Sequence, residues 1–366
     1  MYVSPPGLFR LRDRMRRTPA SGSFCCPAPI CYTSAMREHP ELRFGADLIE
    51  GLDINPSTTV IATMELPWKL VAPRLRCRPD HIVFVQDMER SHLDETEGKL
   101  PDFGVVVGVG GGSCMDFAKY LAWKRGSRLI LVPSIVSVDA CVTHLVAVRE
   151  DGRVRNIGHA QAESLLIDFT LISAAPARLN RAGAADILSI HTASFDWLLG
   201  HQKHAEKYDA SIARRCSNVV NELEDCAAEI QAVSHTGIRR LVELFETEND
   251  LCLELGNYRP EEGSEHFFAY NTEHVTGKHF IHGELVSLGM LLMARLQKNK
   301  PDWLKVLLDT LGVLYQPSDI GLEMAELRHI LMSLPDYCRA ENLPHTIIDE
   351  TDFSPTLVDA LTAGLR

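Results

Sequence analysis

The feature that most constrains the fold is an apolar run that ends in a cluster of glycines. Residues 104–109 (GVVVGV) have the composition of a buried β-strand, and residues 113–124 have helical character. Between them stand Gly110, Gly111, Gly112 and Ser113. Backbone N–H groups without side chains can approach a pyrophosphate closely, and the positive end of the helix dipole favours the anion. The pattern predicts a phosphate-binding loop, although a tight strand-to-helix turn without a ligand would share it.

This loop departs from the usual dinucleotide-binding fingerprint. Ser113 stands where the third glycine of GxGxxG would fall, and no acidic residue ends the next strand, which runs into Pro133. We therefore expect a cofactor geometry that differs from the common one. Glu65, just after the first clear strand, is the candidate for a hydrogen bond to a ribose hydroxyl. It would disfavour a 2′-phosphate, but the choice between NAD and NADP stays open.

Further strands alternate with helical segments before residue 176. The β-branched and apolar runs lie at residues 41–44, 58–63, 81–85, 128–132 and 164–168. Residues 144–149 and 153–157 flank Glu150-Asp151-Gly152 and predict a hairpin. Strands that alternate with helices indicate βαβ units and a parallel sheet.

The texture of the sequence changes after Pro176, where β-branched runs nearly vanish. Amphipathic patterns cover residues 177–199, 208–232, 238–255, 262–272, 283–297, 303–311 and 325–334. We expect a Rossmann-like α/β domain over residues 39–175, which binds a dinucleotide, and an all-helical domain over residues 176–366, which binds metal and substrate. Residues 1–38 are rich in Arg, Ser and Pro and predict a flexible extension.

The composition of the chain limits the classes of partner that it can bind. The net charge of -12 argues against nucleic acid, and no apolar run is long enough to cross a bilayer. The ten cysteines form no disulfide framework, as expected of a reducing compartment. We predict a cytoplasmic homo-oligomer that acts on a small molecule.

The helical half contains a possible metal site. Asp186 lies in an apolar helical segment, where a carboxylate is costly unless it is paired or bound to a cation. His266 and His282 lie 16 residues apart and can meet if a helix and a loop bring them together. One Asp and two His leave an open position for a substrate oxygen. His274 and His279 are rivals in the same segment, and spacing alone does not choose among them.

These residues fall into motifs that resemble the dehydroquinate synthase and iron-containing alcohol dehydrogenase superfamily. Its GGGxxxDxxK and VPTxxSxD motifs are similar to residues 110–119 and 132–139. The chain also resembles the glycerol-1-phosphate dehydrogenase branch at residues 176–189, at Asp196-Trp197 and in the run from Arg259-Pro260 to His266. The last matching motif in the chain is His282-Gly283-Glu284. The resemblance spans about residues 42–300.

The resemblance implies roles for individual residues. The metal ligands fall on Asp186, His266 and His282, and the pyrophosphate loop on Gly110 to Ser113. The cofactor side further includes Asp116, Ser134 and Ser137, while Asp139 would contact a substrate hydroxyl. The implied active site is a cleft between a Rossmann-like domain and a helical domain.

The function predicted is that of a metal-dependent, NAD(P)-linked oxidoreductase that acts on the CH–OH group of a small polyol or polyol phosphate. The leading substrate pair is sn-glycerol 1-phosphate and dihydroxyacetone phosphate. Zn²⁺ is the favoured ion, with Fe²⁺ and Ni²⁺ as alternatives. His279 is a candidate proton carrier, and the candidates for binding a phosphate are Lys278, Arg153, Arg155 and Arg259.

Three other functions stay open. A sugar-phosphate cyclase resembling dehydroquinate synthase would use the same metal and NAD, but its DSSVGGK run is absent after Asp139. A glycerol dehydrogenase-like enzyme would act on an unphosphorylated substrate. A non-catalytic nucleotide-binding relative would have no need for three converging ligands. Residues 238–257, a longer and more charged segment than is usual in the family, leave the substrate less certain than the chemistry.

Overall fold

The computed structural model describes residues 40–151 and 153–366. The extension predicted for residues 1–38 and the turn residue Gly152 lie outside these ranges.

A six-stranded parallel sheet forms the first half of the described chain, with strand order β1-β8-β5-β4-β2-β3. All five residues of β2 are buried, as expected for a parallel sheet covered on both faces. The strands are β1 (Glu41–Gly45), β2 (Thr59–Thr63), β3 (His81–Phe84), β4 (Val105–Gly110), β5 (Arg128–Pro133) and β8 (Ser164–Asp168).

A separate antiparallel hairpin lies between β5 and β8 in the chain and, among the described residues, does not pair with the parallel sheet. It consists of β6 (Leu145–Glu150) and β7 (Arg153–His159), with an irregular register between Val146 and Ala147. The hairpin packs over helix α3 (Gly112–Arg125). Its β6 strand thereby reaches the carboxyl edge of the main sheet, where the phosphate-binding loop was predicted.

Helix α3 lies directly on strand β4 because Gly108 has no side chain. A Cβ atom at Gly108 would stand 2.8 Å from the Cβ of Ala118 on the helix. The other helices of this half are α1 (Glu65–Val71), α2 (Arg90–Gly98) and α4 (Phe169–Ser173).

Every described element after β8 is helical. These helices are α5 (Ala177–Ala182), α6 (Ala184–His204), α7 (Ala210–Asp225), α8 (Ala227–Gln231), α9 (His235–Leu255), α10 (Ser264–Thr276), α11 (His282–Gln297), α12 (Pro301–Leu311), α13 (Pro317–Ile320), α14 (Met324–Ala340) and α15 (Pro355–Thr362). Together with the sheet, they confirm the predicted fold class of a Rossmann-like α/β part and a helical part.

Two predicted helices are each divided in the structure. The segment predicted over residues 177–199 becomes α5 and α6, and that over residues 208–232 becomes α7 and α8. Gly183, between α5 and α6, packs closely against the loop that follows β5, since a Cβ there would lie 2.0 Å from the carbonyl oxygen of Val136.

The helical part is organised around α11, whose side chains are almost all buried, in agreement with its unbroken apolar pattern. Across the two described ranges, no helix is both long and apolar enough to cross a membrane.

Candidate active site

A cleft of about 340 Å³ opens between the carboxyl edge of the sheet and the helical part. Its walls include the start of α3, the loop after β5, the hairpin, and helices α6, α10 and α11. Carboxyl ends of parallel strands are the usual location of ligand sites in open α/β sheets. The cleft is therefore the natural place to look for the predicted site residues.

Asp186, His266 and His282 meet in this cleft. One potential ligand atom from each lies within 4.8 Å of the others. The Nε2 atom of His282 is 3.6 Å from Oδ1 of Asp186, and the two imidazole centroids are 5.3 Å apart. Among the described residues this is the one such group of three, and neither rival, His274 or His279, belongs to it.

Close packing at Gly283 brings two of these side chains, those of Asp186 and His282, together. His282 begins α11, and a Cβ at the next residue, Gly283, would stand 1.9 Å from the carbonyl oxygen of Ala182. The start of α11 can therefore touch the start of α6, which carries Asp186 in its first turn. A larger residue than Gly283 would force these two ligands apart.

The start of α10 is fixed by a buried carboxylate of α6. The backbone N–H of Ser264 donates to Oδ2 of Asp196 at 2.9 Å, and Oδ1 of Asp196 accepts from the N–H of Ile347. This anchor positions the first turn of α10, including His266. The Asp196-Trp197 pair noted in the sequence thus has a structural role beside the site.

The burial and the raised pKa of Asp186 are consistent with a bound cation. The residue is only 8% exposed, and its Oδ1 atom is buried without a hydrogen-bond partner. Burial, followed by the negative charge of Asp139, raises the pKa of Asp186 to about 8. A buried, unpartnered carboxylate oxygen beside two imidazoles is unfavourable in the protein alone. A divalent cation would remove that cost, so the three residues fit the metal that the sequence predicts.

The two imidazoles differ in their surroundings. Burial alone would lower the pKa of His266, but the hydrogen bond and charge of Glu265 outweigh it and raise the pKa. Desolvation, then the charges of His266 and Arg149, lower the pKa of His282 to about 3. His282 is therefore neutral at physiological pH, which is the form of imidazole that coordinates a metal.

The predicted phosphate loop has the expected strand-to-helix geometry. Gly110 has φ of +152°, a conformation that favours glycine, and a Cβ there would lie 2.4 Å from the sulfur of Cys114. The carbonyl of Gly110 accepts from the N–H of Ser134 at 2.8 Å. Gly111 is the N-cap of α3 and Gly112 its first residue, so the positive end of the helix dipole faces the loop.

The remaining predicted cofactor residues lie around this loop. Ser113 and Asp116 line the cleft, and Asp116 pairs with the buried Lys119 at 2.8 Å. Ser134 is buried at the end of β5, and Ser137 is half-buried in the next loop. Glu65, the first residue of α1, is exposed and lies 3.4 Å from Lys69.

Asp139 lines the same cleft between the loop and the three potential metal ligands. Burial raises the pKa of Asp139 to about 6, with the positive charge of Lys119 opposing and the negative charge of Asp116 reinforcing the effect.

Several predicted residues do not line the cleft. Lys278 pairs with Glu326 on the surface at 2.8 Å, and the side chain of His279 is 73% exposed. The three arginines proposed for a phosphate are engaged elsewhere: Arg153 and Arg155 contact Glu341, and Arg259 contacts Glu206 and backbone carbonyls.

The structure adds two cleft features that the sequence analysis missed. Arg149 of β6 and Glu273 of α10 form an ion pair of 2.8 Å on the cleft wall. The second feature is Glu265, the residue before His266, whose carboxylate contacts that imidazole. Glu265 could have been predicted from the sequence, because carboxylates commonly orient metal-ligating histidines. No local signal distinguishes Arg149 from Arg153 or Arg155 on the same hairpin.

Comparison with known sequences identifies relatives of this chain. The sequence profile of the family described as iron-containing alcohol dehydrogenase matches residues 73–176. The glycerol-1-phosphate dehydrogenase [NAD(P)+] of Aeropyrum pernix is 30% identical over 258 residues, which cover 70% of this chain and 72% of that enzyme.

Comparison with solved structures identifies the same fold at lower sequence identity. The glycerol dehydrogenase of Schizosaccharomyces pombe superposes with a TM-score of 0.64 at 19% identity, covering 89% of each chain. The sulfoacetaldehyde reductase of Bifidobacterium kashiwanohense, solved in complex with NAD+, gives a TM-score of 0.60 at 13% identity and covers 90% of this chain and 97% of its own.

Proposed function

The chain belongs to the glycerol-1-phosphate dehydrogenase family, and from that premise we propose that it is a metal-dependent enzyme that interconverts dihydroxyacetone phosphate and sn-glycerol 1-phosphate with NADH or NADPH. The iron-containing alcohol dehydrogenase profile and the fold agree with hydride transfer to or from a carbinol carbon.

One observation carries the proposal. The same cleft is lined by Ser113 of the glycine loop and by Asp186, His266 and His282. A dinucleotide with its pyrophosphate at the N-terminus of α3 can therefore direct its nicotinamide toward the three potential ligands. Hydride transfer needs the nicotinamide and the reacting carbon at one point, and the shared cleft supports such an arrangement.

A divalent cation bound by Asp186, His266 and His282 would polarise the substrate oxygen and stabilise negative charge on it. The protein's own residues orient the reactants. Asp139, which lines the cleft, would accept a hydrogen bond from a substrate hydroxyl. Glu265 contacts Nδ1 of His266 and would leave Nε2 for the metal.

We propose Zn²⁺ as the resident ion, because two imidazoles and one carboxylate with an open position are a common donor set for catalytic zinc. Elemental analysis of the protein purified without added metal measures the ion. A stoichiometric iron or nickel content in place of zinc would contradict this assignment and leave the ligands unchanged.

The reaction is tested by following NADH absorbance with three substrates in parallel: dihydroxyacetone phosphate, dihydroxyacetone and a heptulosonate phosphate. Oxidation with dihydroxyacetone phosphate as the best substrate is expected. Oxidation only with dihydroxyacetone would move the chain to a glycerol dehydrogenase activity. Phosphate release from the heptulosonate without loss of NADH would identify a cyclase and refute the dehydrogenase.

A further inference from the structure

The charge balance of the cleft poses a problem for a phosphorylated substrate. Six carboxyl groups line it, namely Asp116, Asp139, Asp186, Glu261, Glu262 and Glu273. Of the described residues in the lining, Arg149 is the one lysine or arginine. A dianionic phosphate in such surroundings requires a cation of its own beside the proposed metal ion, because its desolvation and the repulsion by ionised carboxylates are otherwise only partly compensated.

Arg149 is held in the wall by its backbone as well as by its side chain. Its N–H donates to the carbonyl of Met88 at 2.7 Å, and the residue forms a bridge with Glu89, so β6 is tied to the segment before α2. The guanidinium donates to Oε2 of Glu273 at 2.8 Å. Both side chains are about one-fifth exposed, so the pair faces the cleft and is still shielded from bulk water.

Arg149 and His282 line the same cleft. A three-carbon substrate with its carbinol oxygen near His282 could extend its other end toward the hairpin.

We propose that Arg149 determines specificity by binding the phosphate of the substrate, and that the phosphate displaces Glu273 from the guanidinium. This inference rests on the proposed function, since it assigns the phosphate end of that substrate. Arginine is suited to the exchange because its planar fork binds carboxylate and phosphate with the same geometry. A dianion with more acceptor oxygens competes well with one carboxylate.

Glu273 keeps partners after displacement. Its Oε1 atom accepts from the N–H of Phe280 at 3.5 Å and lies 3.8 Å from Nδ1 of His279. Both belong to the segment between α10 and α11 that leads to His282. The carboxylate can therefore turn away from Arg149 without becoming unpaired.

The test compares Arg149→Gln, Arg149→Lys and Glu273→Gln with Arg153→Gln as the matched control. Arg153 lies on the same hairpin, pairs with Glu341 at 2.6 Å and does not line the cleft. For each protein, kcat and KM are measured with dihydroxyacetone phosphate and with dihydroxyacetone. Binding of inorganic phosphate to the NAD-bound protein is measured separately by calorimetry, which needs no turnover.

Arg149→Gln is expected to raise KM for the phosphorylated substrate and the Kd of phosphate at least about tenfold, equivalent to about 1.4 kcal/mol, and to leave KM for dihydroxyacetone unchanged. Arg149→Lys should recover part of the loss. Glu273→Gln should lower KM for the phosphorylated substrate, because the competing carboxylate is gone.

The outcomes separate this inference from the proposed function. A wild type that turns over dihydroxyacetone phosphate while Arg149→Gln matches Arg153→Gln would overturn the inference alone. Equal losses of Arg149→Gln with both substrates would assign Arg149 a structural role and also overturn it. A wild type that neither turns over the phosphorylated ketone nor binds phosphate would overturn both.

Discussion

Oε1 of Glu265 lies 3.0 Å from Nδ1 of the neighbouring His266, and this contact decides which nitrogen of that histidine faces the cleft. The same oxygen accepts from the N–H of Gly263 at 2.7 Å, and Oε2 accepts from the hydroxyl of Thr192 at 2.8 Å. The carboxylate is thus held from three sides. Because a carboxylate accepts hydrogen bonds, Nδ1 of His266 carries the proton and Nε2 has the lone pair for a metal.

Substitution Glu265→Gln is expected to weaken metal binding roughly 10–100-fold, because the amide no longer raises the basicity of the imidazole or fixes its tautomer. The affinity is measured by zinc titration against a competing chelator. Glu326→Gln, at an exposed glutamate that pairs with Lys278, is the control. Equal affinities in the two variants would show that the contact does not act on the metal.

Asp186→Asn should change the stability of the metal-free and metal-loaded proteins in opposite directions. The metal-free variant is expected to be at least as stable as the wild type at neutral pH, because asparagine avoids the cost of protonating a buried carboxyl group whose pKa is raised to about 8. The wild type should gain about 2.7 kcal/mol from free metal at 100-fold above its Kd, and the variant much less. Tm is measured with chelator and with added zinc. An equal metal-induced rise in Tm would remove Asp186 from the site.

The fold, and Asp186 within the candidate metal site, were accessible from sequence because each rests on a local pattern. The strand run of residues 104–109 and the glycines after it specify β4, the loop and α3 with little dependence on the rest of the chain. Asp186 was conspicuous as a charge within an apolar helix, and the structure shows that its Oδ1 atom is buried without a partner, as a bound cation would require. The family resemblance selected His266 and His282 where spacing alone did not.

The position of Arg149 on the cleft wall could not be predicted from a local sequence pattern. Arg149, Arg153 and Arg155 share one hairpin, and only the packing of β6 against the segment before α2 decides that Arg149 faces the cleft. The position of Arg259 was equally inaccessible from its sequence motif. The motif suggested a ligand contact, but the residue is only 7% exposed and its guanidinium donates to backbone carbonyls. Which long side chain reaches a cleft depends on tertiary contacts that periodicity does not encode.

Gly111→Val is expected to weaken NADH binding at least about tenfold, equivalent to about 1.4 kcal/mol. A Cβ at Gly111 would stand 2.9 Å from Cδ1 of Ile135 in the loop facing the N-terminus of α3, so valine would narrow the space for the pyrophosphate. The affinity is measured by nucleotide fluorescence with NADH and NADPH. Gly98→Val, where a Cβ meets no atom within 4 Å, is the control. Unchanged affinity in Gly111→Val would refute the loop assignment.

The unusual segment of residues 238–257 contains, after Asp186, a second buried acid whose carboxyl oxygens lack hydrogen-bond partners. Glu248 of α9 is 1% exposed, and neither carboxyl oxygen has a hydrogen-bond partner. Burial, then the charges of Glu261, Asp139, Asp186 and Cys216, raise the pKa of Glu248 well above its usual value. The folded protein therefore keeps the proton of Glu248 to a higher pH than the unfolded chain does.

Glu248→Gln should consequently gain stability relative to the wild type as the pH rises. A folded pKa above the unfolded one means that the folded state binds more protons, so wild-type stability falls above about pH 4.5, by up to about 1.4 kcal/mol per pH unit. Glutamine has no proton to lose and keeps the shape of the neutral acid. The free energy of unfolding is measured in urea from pH 5 to pH 9 on zinc-loaded proteins, with Glu254→Gln, an exposed position on the same helix that pairs with Arg215, as the control.

The difference between Glu248→Gln and the wild type should be smallest at pH 5 and grow toward pH 9. A difference that stays constant with pH, as expected for Glu254→Gln, would show that Glu248 titrates normally and that water or another group satisfies its carboxylate.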